Sequence, residues 1–211
     1  MKLKDLFEQQ RVIEGDLDVT QITKLDDNRG AILKGHFLGS GSRITSLEGS
    51  PEEVTGDFIC SLSGITSLKG APKRVGRGFM CLNTNIKSLE GAPYYVGGYF
   101  DCSETNITSL EGAPSYVGSY FACHDTKITS FHNIHKQIKH IGGILTIDSA
   151  VKSHIMGLML IKNLKIEISG VKNKQLKQAI AIMNKHLAGR RNIHDCQEEL
   201  IEAGLSEYAK L

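Results

Sequence analysis

Four cysteines return at a fixed interval along the chain. Cys60, Cys81, Cys102 and Cys123 are each separated by 21 residues. Thiolates bind zinc and act as redox nucleophiles, and stacked repeats would bring these sulfurs close together. However, zinc sites typically pair cysteines at C-x-x-C spacing, and Gly39 occupies the same column one repeat earlier. Because cysteine also behaves as a small buried hydrophobe, the pattern favours core packing over a metal or a disulfide.

Histidines form a second candidate group, with His132, His135 and His140 close in sequence and His124 nearby. An H-x-x-H spacing is a weak indication of metal binding, and no acidic pair accompanies it at helical spacing. A surface insertion after the last regular repeat explains these histidines better. The sequence also lacks a nucleophile elbow, a phosphate-binding loop and a dinucleotide fingerprint. We therefore expect no catalytic residue, no cofactor and no enzyme activity.

A basic segment between residues 162 and 191 contains eight lysines and arginines and one acid, Glu167, for a formal charge of +7. Such a patch attracts nucleic acid or an acidic protein. The candidate contacts are Lys172, Lys174, Lys177, Lys185, Arg190 and Arg191. The alternative is a solvated helix face that the acidic residues 195–207 balance.

The elements that must position these residues are copies of one 21-residue unit, in which Ile-Thr-Ser-Leu or a near copy returns five times. Its first column is Phe37, Phe58, Phe79, Phe100 and Phe121, and the cysteine column follows two residues later. Phe-x-Cys alternates with the period of a short strand that has one face inward. A Gly-Ala-Pro segment follows, and proline does not fit a helix interior. The part of each unit that leads back to the next coil, the return arm, is therefore expected to be extended or turn-like. No unit can bury its apolar face alone, which predicts a β-rich repeat solenoid.

The residues that flank each Phe and Cys point outward, opposite to the core, and form ladders along the predicted concave face. Leu38, Ile59, Met80 and Leu82 would form an apolar patch beside Tyr99 and Tyr120. The candidate partner-binding residues are Leu38, Ile59, Met80, Leu82, Tyr99, Asp101, Tyr120 and His124. Exposed apolar patches and tyrosines mark partner surfaces. The alternative is that the N-terminal segment folds over this patch.

Both ends of the repeat array decay, as terminal coils that cap a solenoid do. We predict an N-terminal cap and a degenerate first repeat over residues 1–29, with Leu3, Leu6, Phe7 and Val12 in a short capping helix. Regular repeats follow over 30–131, and degenerate repeats over 132–170, with one further strand at 164–168. Residues 171–211 are predicted to form a helical hairpin cap. Its first helix carries apolar residues at helical spacing, and its second begins at Asp195 with Glu198 as a capping-box partner.

The order Phe-x-Cys-x-x-Thr-x-Ile-x-x-Leu resembles the leucine-rich repeat, with Thr or Ser in place of the usual Asn. The hydroxyl column is Ser42, Ser63, Thr84, Thr105 and Thr126, and we expect it to bond the adjacent coil. The phrase Ser-Leu-Glu-Gly-Ala-Pro-x-Tyr-Val-Gly-Gly and the ending at residues 195–210 are similar to small leucine-rich-repeat-like proteins of T4-like tailed bacteriophages. That resemblance implies a phage origin and a role inside the infected cell, and it supplies no catalytic residue.

Composition narrows the class further. The N-terminal residues are too polar for a secretory signal, and the apolar run at residues 155–161 is too short to span a bilayer. An odd number of cysteines without an export signal predicts a cytoplasmic protein with reduced thiols. We expect a protein-interaction module that binds a host or viral protein through its concave face. Inhibition of a host process or of a defence system is the expected consequence of such binding. The alternative is a nucleic-acid-binding protein that uses residues 162–191. Partner identity and oligomeric state stay open.

Overall fold

The computed structural model describes residues 10–170, 173–189 and 191–211. In these residues the chain winds through successive short strands into a β-solenoid with two parallel sheets. The strands in chain order are β1 (Val12–Glu14), β2 (Leu17–Asp18), β3 (Ile32–Lys34), β4 (Phe37–Leu38), β5 (Glu53–Val54), β6 (Phe58–Ile59), β7 (Arg74–Val75), β8 (Phe79–Met80), β9 (Tyr95–Val96), β10 (Phe100–Asp101), β11 (Tyr116–Val117), β12 (Phe121–Ala122), β13 (His140–Ile141), β14 (Ile144–Asp148) and β15 (Lys165–Ser169). The predicted β-rich repeat solenoid is confirmed.

Each coil contributes one strand to each sheet. The seven-stranded sheet has the order β1-β3-β5-β7-β9-β11-β13, and the eight-stranded sheet the order β15-β14-β12-β10-β8-β6-β4-β2. The return arm is extended, which is one of the two conformations expected from the sequence, and its pairing into a second sheet was not predicted. The strands of this sheet begin just after the proline column, where successive arms pair in register, as Val54 does with Val75. Two strands per coil also depart from the leucine-rich repeat, whose unit has one strand followed by a helix or 3₁₀ turn.

The core runs the length of the solenoid and is built by identical residues that stack in register. Phe37 pairs with Phe58 and Phe58 with Phe79, and their ring centroids lie 4.1 and 5.2 Å apart. The phenylalanine, cysteine, isoleucine, leucine and valine columns are buried. Each coil thus buries the apolar face of its neighbour, and stability is a sum over adjacent pairs.

From Ser63 to Thr126 the hydroxyl column closes the turn after the eight-stranded sheet within a single coil, whereas the Ser42 hydroxyl has no partner among the described residues. Thr84 Oγ1 donates to the Cys81 carbonyl at 2.7 Å, and Thr105 Oγ1 donates to the Cys102 carbonyl at 2.7 Å. The expectation that these hydroxyls bond the adjacent coil is therefore wrong. The thiols make the contact between coils instead, since Cys60 Sγ lies 3.3 Å from the Met80 carbonyl oxygen.

The ends of the solenoid follow the sequence in outline. The degenerate first repeat is present as β1 and β2, so Val12 lies in a strand and not in a capping helix, while Leu3, Leu6 and Phe7 lie outside the described residues. The histidine-rich insertion contains the short helix α1 (Ile134–Gln137), and a 3₁₀ helix spans Met156–Leu160. The predicted strand near residue 164 is β15, which pairs with β14.

Two helices close the C-terminal end, α2 (Lys174–Ala188) and α3 (Ile193–Glu202). Helix α2 packs its apolar side on β15, and Asn184 satisfies the backbone of that edge strand: its Oδ1 accepts from Ile166 N at 3.0 Å and its Nδ2 donates to Ile166 O at 2.7 Å. Helix α3 begins earlier than predicted. Its N-cap is Asn192, whose side chain accepts from the backbone N–H groups of His194 and Asp195, so Asp195 lies in the first turn.

Candidate protein-binding surface

The outer face of the eight-stranded sheet brings three of the predicted apolar residues into one row. Leu38 pairs with Ile59, Ile59 pairs with Met80, and all three side chains are partly exposed. The row ends in a carboxylate on each side, because Asp18 pairs with Leu38 and Met80 pairs with Asp101. We call these five residues the apolar row. It lies on the outward side of strands whose inward neighbours, Phe and Cys, form the core.

Leu62 is the most exposed large apolar residue at this surface and was not singled out from the sequence. Its side chain is 58% exposed, and its backbone N–H donates to the carbonyl of Leu82 on the next coil at 3.1 Å. Leu62 also has a φ of 58°, in the left-handed region. The same column holds Gly41 and Asn83, residue types that adopt this conformation readily, whereas leucine does so at a cost. Leu62 and Leu82 widen the apolar row on one side.

Tyr99 and Tyr120 form a stacked pair at the other side of the row, with centroids 5.1 Å apart and planes within 5°. The Tyr99 ring lies over Gly78, where a Cβ would meet the ring at 2.2 Å. The pKa of the Tyr99 hydroxyl is raised, mainly because the group is partly buried and also because the negatively charged Asp57 carboxylate is nearby. Tyr99 is therefore largely a packing residue, while Tyr120 remains 41% exposed.

A chain of polar contacts runs beside these tyrosines. Asp16 Oδ1 accepts from the backbone N–H of His36 at 2.8 Å, and Asp57 Oδ1 accepts from that of Gly78 at 2.7 Å. Between them, His36 Nδ1 lies 3.1 Å from Asp57 Oδ2. These side chains join successive coils by bonding to their backbone N–H groups. Their role is therefore structural, and they are not candidates for binding a partner.

His124, the last of the predicted partner-binding residues, lies two strands beyond Met80. Its Nδ1 is 2.9 Å from Asp125 Oδ2, and the backbone N–H of Asp125 donates to Asp148 Oδ2 at 2.9 Å. His124 is thus part of an acidic cluster at the C-terminal end of the face, separate from the apolar row.

Of the four basic candidates that the structure describes, two are exposed and two are engaged in contacts within the protein. Lys174 and Lys177 are exposed on α2, whereas Lys185 Nζ forms an ion pair with Glu199 Oε2 at 2.8 Å. That contact and the His186 side chain lower the pKa of Glu199. Arg191 donates to the Ile161 carbonyl and so fixes the cap to the solenoid. Lys172 and Arg190 lie outside the described residues.

The outer face of the seven-stranded sheet has a ladder that sequence reasoning missed. The Arg74 guanidinium lies 4.3 Å from the Tyr95 ring centroid, Tyr95 stacks on Tyr116 at 4.9 Å, and Tyr116 stacks on His140 at 4.5 Å. Arg74, Tyr95 and Tyr116 share the column just before the buried valines, which was readable from the 21-residue period, while His140 precedes Ile141 and lies 24 residues after Tyr116. Their ring faces are occupied by one another, so this sheet presents ring edges and hydroxyls.

The cysteines are all free and buried, and burial raises the pKa of the four thiols in the repeat column. A raised pKa leaves little thiolate at neutral pH, which is the opposite of an activated nucleophile. Within residues 10–170, 173–189 and 191–211, no group of three His, Cys, Asp or Glu side chains is arranged to hold a metal ion.

Comparison with protein-family models, with curated proteins and with solved structures found no match to the chain. Among the described helices, none combines the length and the apolar character needed to cross a membrane.

Proposed function

We propose that the protein is a non-enzymatic interaction module that binds a partner protein through the outer face of the eight-stranded sheet. The contact surface is the apolar row together with Leu62 and Leu82. The observation that carries the proposal is Leu62, an apolar side chain 58% exposed on a backbone conformation that leucine disfavours. Residues kept in disfavoured conformations cluster at functional sites, and exposed apolar side chains beside a half-buried row suit an interface.

The use of the reactive side chains supports a binding role over catalysis. The thiols of the repeat contact carbonyl oxygens of the next coil, and the threonine hydroxyls contact carbonyls of their own coil. His186 lies 2.8 Å from Glu199 in the cap. Groups that hold the coils and the cap together in this way are not poised over a cleft where a substrate could react.

The setting of this interaction is part of the same proposal. The resemblance to small proteins of T4-like phages suggests a host or viral protein as the partner, met in the cytoplasm of an infected cell. Interference with a host process or a defence system would follow from such a contact. Buried thiols that stay reduced are compatible with that compartment.

The proposal is tested by capturing partners from infected cells, identifying them, and measuring the affinity of each purified partner. Met80→Asp places a charge in the centre of the apolar row, and we expect it to weaken binding about 100-fold or more, as changes at an interface hot spot do. Ile201→Asp is the matched control, because Ile201 is 55% exposed on α3, away from this face. Equal affinity of Met80→Asp and the unaltered protein would refute the proposed surface.

Nucleic-acid binding through the basic segment is the second candidate, and the observation that favours it is the exposure of Lys174 and Lys177 on one side of α2. It has less support, because Lys185 and Arg191 are engaged within the cap. It predicts retention on immobilised DNA or RNA at low salt, and loss of retention in Lys174→Glu/Lys177→Glu. No retention of the unaltered protein at low salt would eliminate it.

A further inference from the structure

The apolar row is bounded by carboxylates in exact cross-strand register. Asp18 pairs with Leu38 at one end, and Asp101 pairs with Met80 at the other. The row therefore spans five neighbouring strands. Because neighbouring strands lie about 4.8 Å apart, the two aspartates are about 19 Å from each other. A partner segment that lies along the row meets a negative charge at each end.

The two aspartates are held in the same way. Asp18 Oδ1 accepts from the backbone N–H of Thr20 at 2.9 Å, and Asp101 Oδ1 accepts from that of Ser103 at 2.9 Å. The bond from Thr20 lowers the pKa of Asp18, which keeps that carboxylate ionised. In both residues the hydrogen bonds within the described part of the chain use Oδ1, so Oδ2 is available to an outside donor.

Around the apolar row, from β2 to β12, the outward positions have the same sign of charge, while Arg77 flanks them and Lys165 on β15 is ion-paired with Glu167. We take together the segments that carry the outward positions, residues 16–21, 36–41, 57–62, 78–83, 99–104 and 120–125. They contain no lysine or arginine. Their acids are Asp16, Asp18, Asp57, Asp101, Glu104 and Asp125. An apolar strip in a field of one sign selects a partner of the opposite sign and rejects like-charged surfaces.

We propose that the partner segment is basic and apolar, with aliphatic or aromatic side chains on Leu38, Ile59 and Met80 and a lysine or arginine near Asp18 and near Asp101. This inference rests on the proposed function. The two cations would be about six residues apart in an extended segment or about thirteen in a helix, from the rise per residue of each. A symmetric contact between two copies of this chain is disfavoured, because it would place this acidic face against itself.

The experiment is a selection from a displayed library of random 16-residue peptides on the full chain. We expect selected peptides to carry Lys or Arg on both sides of an apolar centre. Their affinity should fall at least tenfold in Asp18→Asn/Asp101→Asn, in which the amide oxygen still accepts the Thr20 and Ser103 bonds. Raising NaCl from about 0.05 to 0.5 M should produce a similar loss, because salt screens exposed charges. Glu48→Gln/Glu111→Gln removes the same charge from exposed positions elsewhere and should leave binding unchanged.

The outcomes separate this inference from the function on which it rests. Peptides that lose binding in Met80→Asp but not in Asp18→Asn/Asp101→Asn would keep the surface and overturn its basic partner. Peptides that bind every variant equally would overturn both. Sedimentation of the full chain supplies the remaining check: a dimer that Met80→Asp dissociates would assign the row to a second copy and overturn the proposal.

Discussion

On the seven-stranded sheet the outward side chains contact one another, whereas on the eight-stranded sheet Leu38, Ile59 and Met80 stay partly exposed among the described residues, and the N-terminal segment predicted as their alternative cover lies outside those residues. Arg74, Tyr95, Tyr116 and His140 form a continuous stack with separations of 4.3 to 4.9 Å. The coils there are also joined by ion pairs such as Lys73 with Glu52, at 2.6 Å. The apolar row shares the same strand spacing, but its apolar side chains stay partly exposed, and the hydrogen bonds that its two end carboxylates accept from the described residues all use Oδ1.

The difference shows that repetition alone does not define a working surface. Both ladders arise from one 21-residue period and place equivalent residues in adjacent coils. The ladder of the seven-stranded sheet satisfies itself, so it adds stability to each interface between coils. On the eight-stranded sheet the tyrosines and the Asp16, His36 and Asp57 side chains also contact one another, but the apolar row beside them stays partly exposed, so its binding energy is available to another molecule. Three changes test this contrast between a structural face and a binding face.

The largest effect is expected at the corner that joins the two faces. A Cβ on Gly97 would lie 2.2 Å from the Gly76 carbonyl oxygen, so Gly97→Ala must displace one coil from the next. We expect a loss of about 3 kcal/mol in the free energy of unfolding, measured by urea denaturation, as for severe overpacking. In Gly143→Ala the nearest contact is 3.3 Å, and the loss should stay within about 1 kcal/mol. If both variants lost the same free energy of unfolding, the close approach of Gly97 to the Gly76 carbonyl would not be what limits this position to glycine.

A smaller effect is expected from the ladder of the seven-stranded sheet. Tyr95→Leu/Tyr116→Leu removes two ring stacks and the contact with the Arg74 guanidinium, and should lower the free energy of unfolding by about 2 kcal/mol. Tyr95→Phe/Tyr116→Phe keeps the rings and should be near neutral. Affinity for peptides selected on the apolar row should be the same in both variants. A binding loss in the Leu variant, measured at a temperature where it is folded, would make the seven-stranded sheet part of the interface.

The smallest expected effect is an increase in the free energy of unfolding, whereas the variants above decrease it. Leu62→Asn replaces a leucine in the left-handed conformation by a residue that adopts this conformation more readily. Thermal or urea unfolding should show that the free energy of unfolding rises by about 1 kcal/mol, while affinity for the partner falls. Asn83→Leu makes the reverse change in the same column of the next coil and should destabilise by a similar amount. A stability loss in Leu62→Asn would show that Leu62 serves the fold, and its role as an anchor would then fail.

The sequence predicted the stacked core because the phenylalanine, isoleucine, leucine and valine columns repeat without a break between Phe37 and Ile128, and Gly39 is the one exception in the cysteine column. It did not predict the second sheet, because each of those strands shows only one alternation, such as Arg74 outward and Val75 inward. So short a segment is indistinguishable from an extended turn. Pairing with the adjacent coils makes it a strand, and that depends on the stacking of whole coils.

The candidate surface was predicted in part for a similar reason. Period-2 alternation placed Leu38, Ile59 and Met80 outward, and they do share one row. Leu62 is missing from the predicted surface, although it is the one aliphatic residue in a column otherwise occupied by glycine and polar residues. Its left-handed backbone and its hydrogen bond to the next coil are visible only in the structure. Likewise, a count of basic residues could not show that Lys185 meets Glu199 across the two C-terminal helices.

The buried cysteines of the repeat column can report where the coils of the solenoid separate locally. Cys60, Cys81, Cys102 and Cys123 are buried in four successive coils, and a fifth thiol, Cys196, is buried in the cap. A thiol reagent can reach each sulfur only when its own coil separates from a neighbour, so the order in which the cysteines are labelled would map where the array frays first. Binding on the apolar row should then slow labelling of Cys60 and Cys81 relative to Cys196, so one time course would report both the site of binding and how far along the array it rigidifies the coils.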